Sequence, residues 1–126
     1  MRYLLDSNIV IAASLGVGTA VHERMAACSE GEMVTSAIVF AEVLYGSARG
    51  KPPPLDRLAV LAEEVPVLPF DLKAATTYAG LPLRRHSYDQ LIAAHALSLG
   101  LVVVTDNVGH LADVPGLEVE NWTLPL

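Results

Sequence analysis

Cysteine is nearly absent from this chain. Cys28 stands alone among 126 residues, which excludes an internal disulfide and any thiolate metal cluster. It reads as a small helix residue. Basic residues are also few: eight Lys and Arg face fourteen Asp and Glu, for a net charge of −6. That balance argues against a protein held to nucleic acid by bulk charge. A secretory signal is missing, because Asp6 interrupts the first apolar run and no small-residue cleavage site follows. No apolar run is long enough to span a membrane. The longest, Leu91 to Val104, contains His95, Ser98 and Gly100 and divides into a helix and a strand. Repeats, linkers and low-complexity tracts are absent. The chain therefore reads as soluble and cytoplasmic, with no membrane association.

Apolar residues are plentiful, at 52% of the chain with a mean hydropathy of +0.43. A chain of this length buries only about two-thirds of its unfolded surface. The apolar surplus points to a partner surface, either a second copy or a different chain. The length fits one domain.

Strand and helix signals alternate. Arg2–Leu5 reads as a strand, and Ile9–Ala13 begins a short helix that stops near Gly16-Val17-Gly18. Thr19 is the expected N-cap of a helix to about Ser29. Met33–Thr35 forms a second strand, and Ser36 caps a helix over Ala37–Ser47. Lys51-Pro52-Pro53-Pro54 marks a loop, and Asp56–Glu64 is helical. Val65–Pro69 is a short strand whose two prolines place it at a sheet edge. Asp71 caps a helix to about Leu81. Ser87 or Tyr88 opens an apolar helix through Leu99, which Gly100 stops in the left-handed conformation. Leu101–Val104 is a β-branched strand, and Leu117–Val119 is the last strand, before Trp122. Strands this apolar belong to a parallel sheet covered on both faces. The expected fold is an α/β/α sandwich with a mostly parallel sheet of about five strands.

Four acids sit where chemistry collects in such folds, just outside the carboxyl ends of the strands. Asp6 ends the first strand. Asp106 follows Leu101–Val104 through Thr105 in a similar setting, with an Asx-turn as its plain alternative. Glu42 is the only charge in Ala37–Tyr45, a helix with little exposed stripe, and a carboxylate there must be paired, neutralised or coordinated. Asp89 lies near the start of the apolar helix, where it could also serve as a cap or dipole partner. Crowded carboxylates raise one another's pKa unless a cation neutralises them. Oxygen-only ligands suit Mg²⁺ or Mn²⁺, which bind substrate phosphates. The histidines form no ligand pair and no HExxH arrangement, and His95 reads as a core residue. Arg49 and Lys51 follow Glu42, while Arg84, Arg85 and His86 precede Asp89. Both short basic runs flank the candidate acids, and Arg49, Lys51, Arg84 and Arg85 are candidates for holding a phosphate backbone.

At these residues the chain resembles the PIN-domain ribonucleases, in particular the VapC-type toxins of VapBC toxin–antitoxin modules. Tyr3–Val10 resembles the family's opening, and Thr35-Ser36 through Gly46 its second acidic motif. Ser87–Ala96 is similar to the third motif and Leu101–Asn107 to the fourth. Val114–Trp122 looks like the family's ending. The likeness covers residues 1–126 as a single PIN-like domain. It implies a metal-dependent endoribonuclease that cleaves RNA phosphodiester bonds by a metal-activated water. It also implies Mg²⁺ or Mn²⁺ as cofactor, homodimers, and a cognate VapB-like antitoxin as partner. Carried over by position, Asp6, Glu42 and Asp89 form the metal-binding core, with Asp106 or Asn107 completing it. Ser7, Asn8 and Thr105 support it, and the hydroxyl of Ser7 can orient a carboxylate or a water.

Two departures stand out. Many relatives carry an acid followed by Phe after the fourth motif, where this chain has His110-Leu111, and the stretch Tyr78–Asp89 is short. The rival expectation is a catalytically silent PIN-like module that binds a protein partner. A phosphatase with Asp6 as nucleophile would want an acid two residues on, where Asn8 stands.

Overall fold

The computed structural model describes residues 1–125. Its first strand is β1 (Tyr3–Leu5), followed by α1 (Ser7–Leu15), α2 (Thr19–Ala26), β2 (Met33–Ser36), α3 (Ala37–Ser47) and α4 (Leu55–Glu64). Next come β3 (Val67–Leu68), α5 (Leu72–Ala79), α6 (Tyr88–Leu99) and β4 (Val102–Val104). A 3-10 helix at Val108–Leu111 leads to β5 (Val119–Glu120). The five strands lie in the order β3-β2-β1-β4-β5, and every pairing is parallel. Successive strand residues face opposite sides of a sheet. Leu4 and Leu5 are both fully buried, as are Val103 and Val104, so helices cover both faces. The expected three-layer α/β/α arrangement is the observed one.

Strand order explains where the acids gather. The chain winds outward from β1 to β2 and β3, then crosses back to place β4 on the other side of β1. The direction of winding thus reverses between β1 and β4, the position where open α/β sheets leave a crevice at the strands' carboxyl ends. The register pairs Leu5 with Val104, and the backbone N–H of Asp6 donates to Val104 O at 2.9 Å. Asp6 is thereby fixed in that crevice.

Several element ends differ from expectation for physical reasons. Thr19 is not an N-cap: Gly18, at φ 83°, holds that position, and Thr19 is the first helical residue. The helix ends at Ala26, and Cys28 N–H then bonds Met25 O in a tighter turn. The expected strand Val65–Pro69 shrinks to Val67–Leu68 because Pro66 and Pro69 cannot donate to a ladder. It does lie at the sheet edge. α5 stops at Ala79 rather than Leu81. The last strand falls at Val119–Glu120 rather than Leu117–Val119, after a turn at Gly116 with φ 79°. The side chain of Ser36 caps α3 at Ile38 N–H, Asp71 caps α5 at Ala74 N–H, and Gly100 ends α6 at φ 68°. All three match the sequence reading. No described helix is long and apolar enough to cross a membrane.

Candidate active site

The site grows from the β1–α1 turn. Asp6 is the N-cap of α1, and its Oδ1 accepts from Ser7 N–H at 2.7 Å. Its Oδ2 accepts from the hydroxyl of Thr105, just beyond β4, at 2.9 Å. Ser7 in turn donates its Oγ–H to Oε1 of Glu42 at 3.2 Å. That single contact ties the end of β1 to α3. Asn8 donates its amide to both carboxylate oxygens of Asp106 at 3.1 Å. Thr105 Oγ1 also accepts from Asn107 N–H at 3.1 Å, which closes the turn after β4.

Helix direction brings in the other acids. α3 begins where β2 ends, so Glu42 lies near the carboxyl edge of the sheet. α6 runs back before β4, which puts its first turn, with Asp89, at the same edge. Asp89 does not cap α6: Ser87 holds the cap position. Oδ2 of Asp89 instead lies 3.2 Å from Nδ1 of His110. His110 sits on the 3-10 helix, and the amide of Asn107 reaches its Nε2 at 3.2 Å.

Burial chiefly pushes the pKa of Asp6 above the ordinary carboxylate range, opposed by the Ser7 and Thr105 hydrogen bonds. The charges of Asp89 and Asp106 push it up further. Burial likewise raises Glu42, opposed by the Ser7 hydroxyl and reinforced by Asp6 and Asp89. Asp6 thus lies within reach of the charges of Asp89 and Asp106, and Glu42 within reach of those of Asp6 and Asp89. Among the described residues, no three acid, histidine or cysteine side chains converge on one ligand position. Each carboxylate rests on a protein donor instead: Ser7, Thr105, Asn8 or His110. Mutually repelling, oxygen-only donors of this kind fit a hard divalent cation.

Two expectations need correction. α3 does offer an exposed stripe, formed by Ala37, Ala41, Leu44 and Tyr45, and Glu42 is half-buried rather than enclosed. The Asx-turn at Asp106 does not form either, since its oxygens go to Asn8 and Thr105 makes the local turn.

The basic residues are dispersed. Arg49 stacks 3.5 Å over the ring of Tyr45 and donates to Tyr45 O at 3.0 Å. Lys51 and Arg84 are exposed. Arg85 donates to the carbonyl of His110 and lies 3.9 Å from Asp113. His95 is buried, as expected, with Nδ1 2.8 Å from Ser36 Oγ.

Sequence reasoning missed His110 and Gln90. Gln90 is fully buried, and its amide donates to His110 O at 3.0 Å. It thus locks the 3-10 helix against α6. The available signal for Gln90 was one uncharged polar residue inside an apolar helix; nothing in the spacing pointed to His110 facing Asp89.

Residues 3–117 match the model of the PIN domain family. The chain is 32% identical to the tRNA(fMet)-specific endonuclease VapC of Shigella flexneri, over 98% of this chain and 99% of that protein. It is 26% identical to Ribonuclease VapC2 of Rickettsia felis, over 97% and 98%. Among solved structures, VapBC2 of Rickettsia felis bound to a promoter DNA fragment superposes with a TM-score of 0.85 and 26% identity. That match covers 97% of this chain and 99% of the other. DNA-bound VapBC of Salmonella typhimurium superposes with a TM-score of 0.79 and 32% identity, covering 97% and 98%.

Proposed function

This chain belongs to the PIN domain family, and from that premise we propose that it cuts RNA as the endoribonuclease toxin of a toxin–antitoxin pair. Its relatives along nearly the full length are named ribonucleases, and its structural neighbours were solved as VapBC complexes. A VapB-like antitoxin is the matching partner. The observation that carries the site assignment is the junction at β1 and β4. There Asp6 is held by the Val104 carbonyl, Ser7 and Thr105, while burial, and after it the charges of Asp89 and Asp106, raises its pKa.

Asp6, Glu42 and Asp89 would hold one or two Mg²⁺ or Mn²⁺ ions, with Asp106 as the fourth carboxylate. When bound, such a cation lowers the pKa of a water and offsets charge on the phosphate. The chain's own residues orient that chemistry. Ser7 fixes one oxygen of Glu42, Thr105 fixes one oxygen of Asp6, and Asn8 holds Asp106 by both oxygens. His110 orients Asp89. The amide nitrogen of Asn107 supports the His110 ring. Lys51 and Arg84 are exposed and free to meet RNA phosphates, Arg49 is held against Tyr45, and Arg85 is engaged in holding the 3-10 helix. Such a protein acts in the cytoplasm, where its RNA is. Pairing of two copies belongs to the same reading, supported by exposed Leu55, Val60 and Leu72.

The test is RNA cleavage by the purified chain with Mg²⁺, Mn²⁺ or EDTA, beside Asp6→Asn. Initiator tRNA belongs among the substrates, because the Shigella relative is named for it. Cleavage that needs both cation and Asp6 is the expected result. A folded, cation-loaded chain that cuts none of a diverse RNA set overturns the reading in favour of a silent binding module.

A further inference from the structure

Aromatic residues are scarce here, and the four tyrosines are unevenly used. Tyr3 packs edge-on against Trp122 at 4.9 Å, and Tyr78 bonds His86 at 2.7 Å. Tyr45 and Tyr88 are different: they are 64% and 60% exposed. Each stands beside a candidate cation ligand. Tyr45 is one helical turn beyond Glu42 on α3, and Tyr88 directly precedes Asp89 on α6. Together with Ala41 and Glu42, the two rings line a cavity of about 420 Å³.

We propose that Tyr45 and Tyr88 form a stacking slot for an unpaired base of the RNA strand, next to the phosphate that is cut. The inference rests on the ribonuclease reading above and adds to it a substrate subsite. Three observations fit a base rather than another occupant. First, Glu42 lines the slot, so whatever fills it lies within a nucleotide's reach of the acids. Second, Arg49 covers one side of the Tyr45 ring at 3.5 Å and bonds its carbonyl. A cation is therefore held against one wall residue of the slot, on a protein whose net charge of −6 otherwise repels a phosphate backbone. Third, the walls are aromatic and aliphatic apart from that single carboxylate. Every base has a π-face, so such a wall binds an unstacked base with little regard to sequence. A double helix offers no free face to it, and single-stranded loops become the favoured targets.

The experiment uses the full chain carrying Asp6→Asn, which blocks cleavage, and single-stranded RNA oligonucleotides with 2-aminopurine placed at successive positions. Stacking between tyrosines quenches this base. Quenching at one position, retained in Tyr88→Phe and Tyr45→Phe and lost in either alanine variant, is the expected result. Affinity should fall about tenfold in each alanine variant. Equal quenching and affinity in the alanine variants overturns the slot. So does a change in oligomeric mass in Tyr45→Ala or Tyr88→Ala with RNA binding intact, which would mark the surface as a protein interface. Wild-type cleavage of RNA, run in parallel, separates the two levels. If it cleaves while the alanine variants bind and quench normally, the slot alone fails. If it neither binds nor cleaves, the ribonuclease reading fails and takes the slot with it.

Discussion

Nδ1 of His110 lies 3.2 Å from Oδ2 of Asp89, across the gap between the 3-10 helix and the first turn of α6. A hydrogen bond thus joins the acid in the first turn of α6 to the 3-10 helix that follows β4.

The pairing gives the first prediction. A partner that orients a metal-ligating side chain typically accounts for about 10- to 100-fold in affinity. His110→Ala should therefore weaken Mn²⁺ binding by at least about tenfold in titration calorimetry. The ring is more than half exposed, so the melting temperature of the chelator-treated protein should hardly move. Unchanged Mn²⁺ affinity would reduce His110 to a bystander.

A second prediction concerns the stability of the site. Burial and neighbouring charges raise the pKa of Asp6 in the folded state. Between the unfolded value, about 4, and the raised folded value, the folded chain binds more protons. Cation-free stability contributed by this group is therefore lost as pH rises through that window. Asp6→Asn keeps the N-cap, since Asn serves there as well as Asp, and removes the charge. In EDTA its melting temperature should match wild type near pH 4 and exceed it by a few degrees at pH 7, with cleavage abolished. Glu42→Gln should follow the same sign with a smaller gap, because Glu42 is the more exposed of the two. A wild type that stays more stable than Asp6→Asn at neutral pH would contradict the assignment.

Gln90 supplies the third. It is completely buried, holds His110 O through its amide and accepts from Ser87 through Oε1. Gln90→Leu fills the same space without those bonds. Leaving polar groups unpaired costs about 1–3 kcal/mol, measurable by urea unfolding. The 3-10 helix loses its anchor, so RNA cleavage should fall more than stability alone explains. Full activity at normal stability would show that Arg85 suffices as the anchor.

These predictions trace what could be read from sequence and what could not. Asp6, Glu42, Asp89 and Asp106 were legible because strand-ending acids and charges in apolar helices are local patterns. The sheet was legible for the same reason, since Leu4-Leu5 and Val102–Val104 are apolar on both faces. His110 was not. Its contact with Asp89 spans 21 positions and is created by Gln90 and Arg85 gripping one carbonyl. The exposed stripe of α3 was hidden as well. Its apolar residues read as uniformly buried, whereas only the face toward β2, β3, α1 and α6 is covered. Thr19 was misread because a glycine at positive φ can take the cap position without any side chain.

The last prediction joins the core to the site. His95 is buried, touches the ring of Phe70 edge-on at 5.4 Å, and stands 2.8 Å from Ser36 Oγ. That hydroxyl oxygen also accepts from Ile38 N–H at 3.1 Å and so caps α3, the helix that carries Glu42. Burial lowers the pKa of His95, only partly offset by Asp71. The unfolded chain, with an ordinary value near 6.5, then binds a proton that the folded chain refuses. Stability from this group is present above about pH 6.5 and is lost as pH falls through that value toward the lowered folded one. Protonation turns Nδ1 from an acceptor of the Ser36 hydroxyl into a donor, so that hydroxyl must turn its proton away and its oxygen must accept from both His95 and Ile38, which weakens its hold on the cap. Wild type should therefore lose more melting temperature between pH 7.5 and pH 5.5 than His95→Gln does, whatever the absolute stability of the variant. Amide exchange at Ile38 should quicken over the same range in wild type alone. Identical pH slopes in the two proteins would place the acid sensitivity of this fold elsewhere.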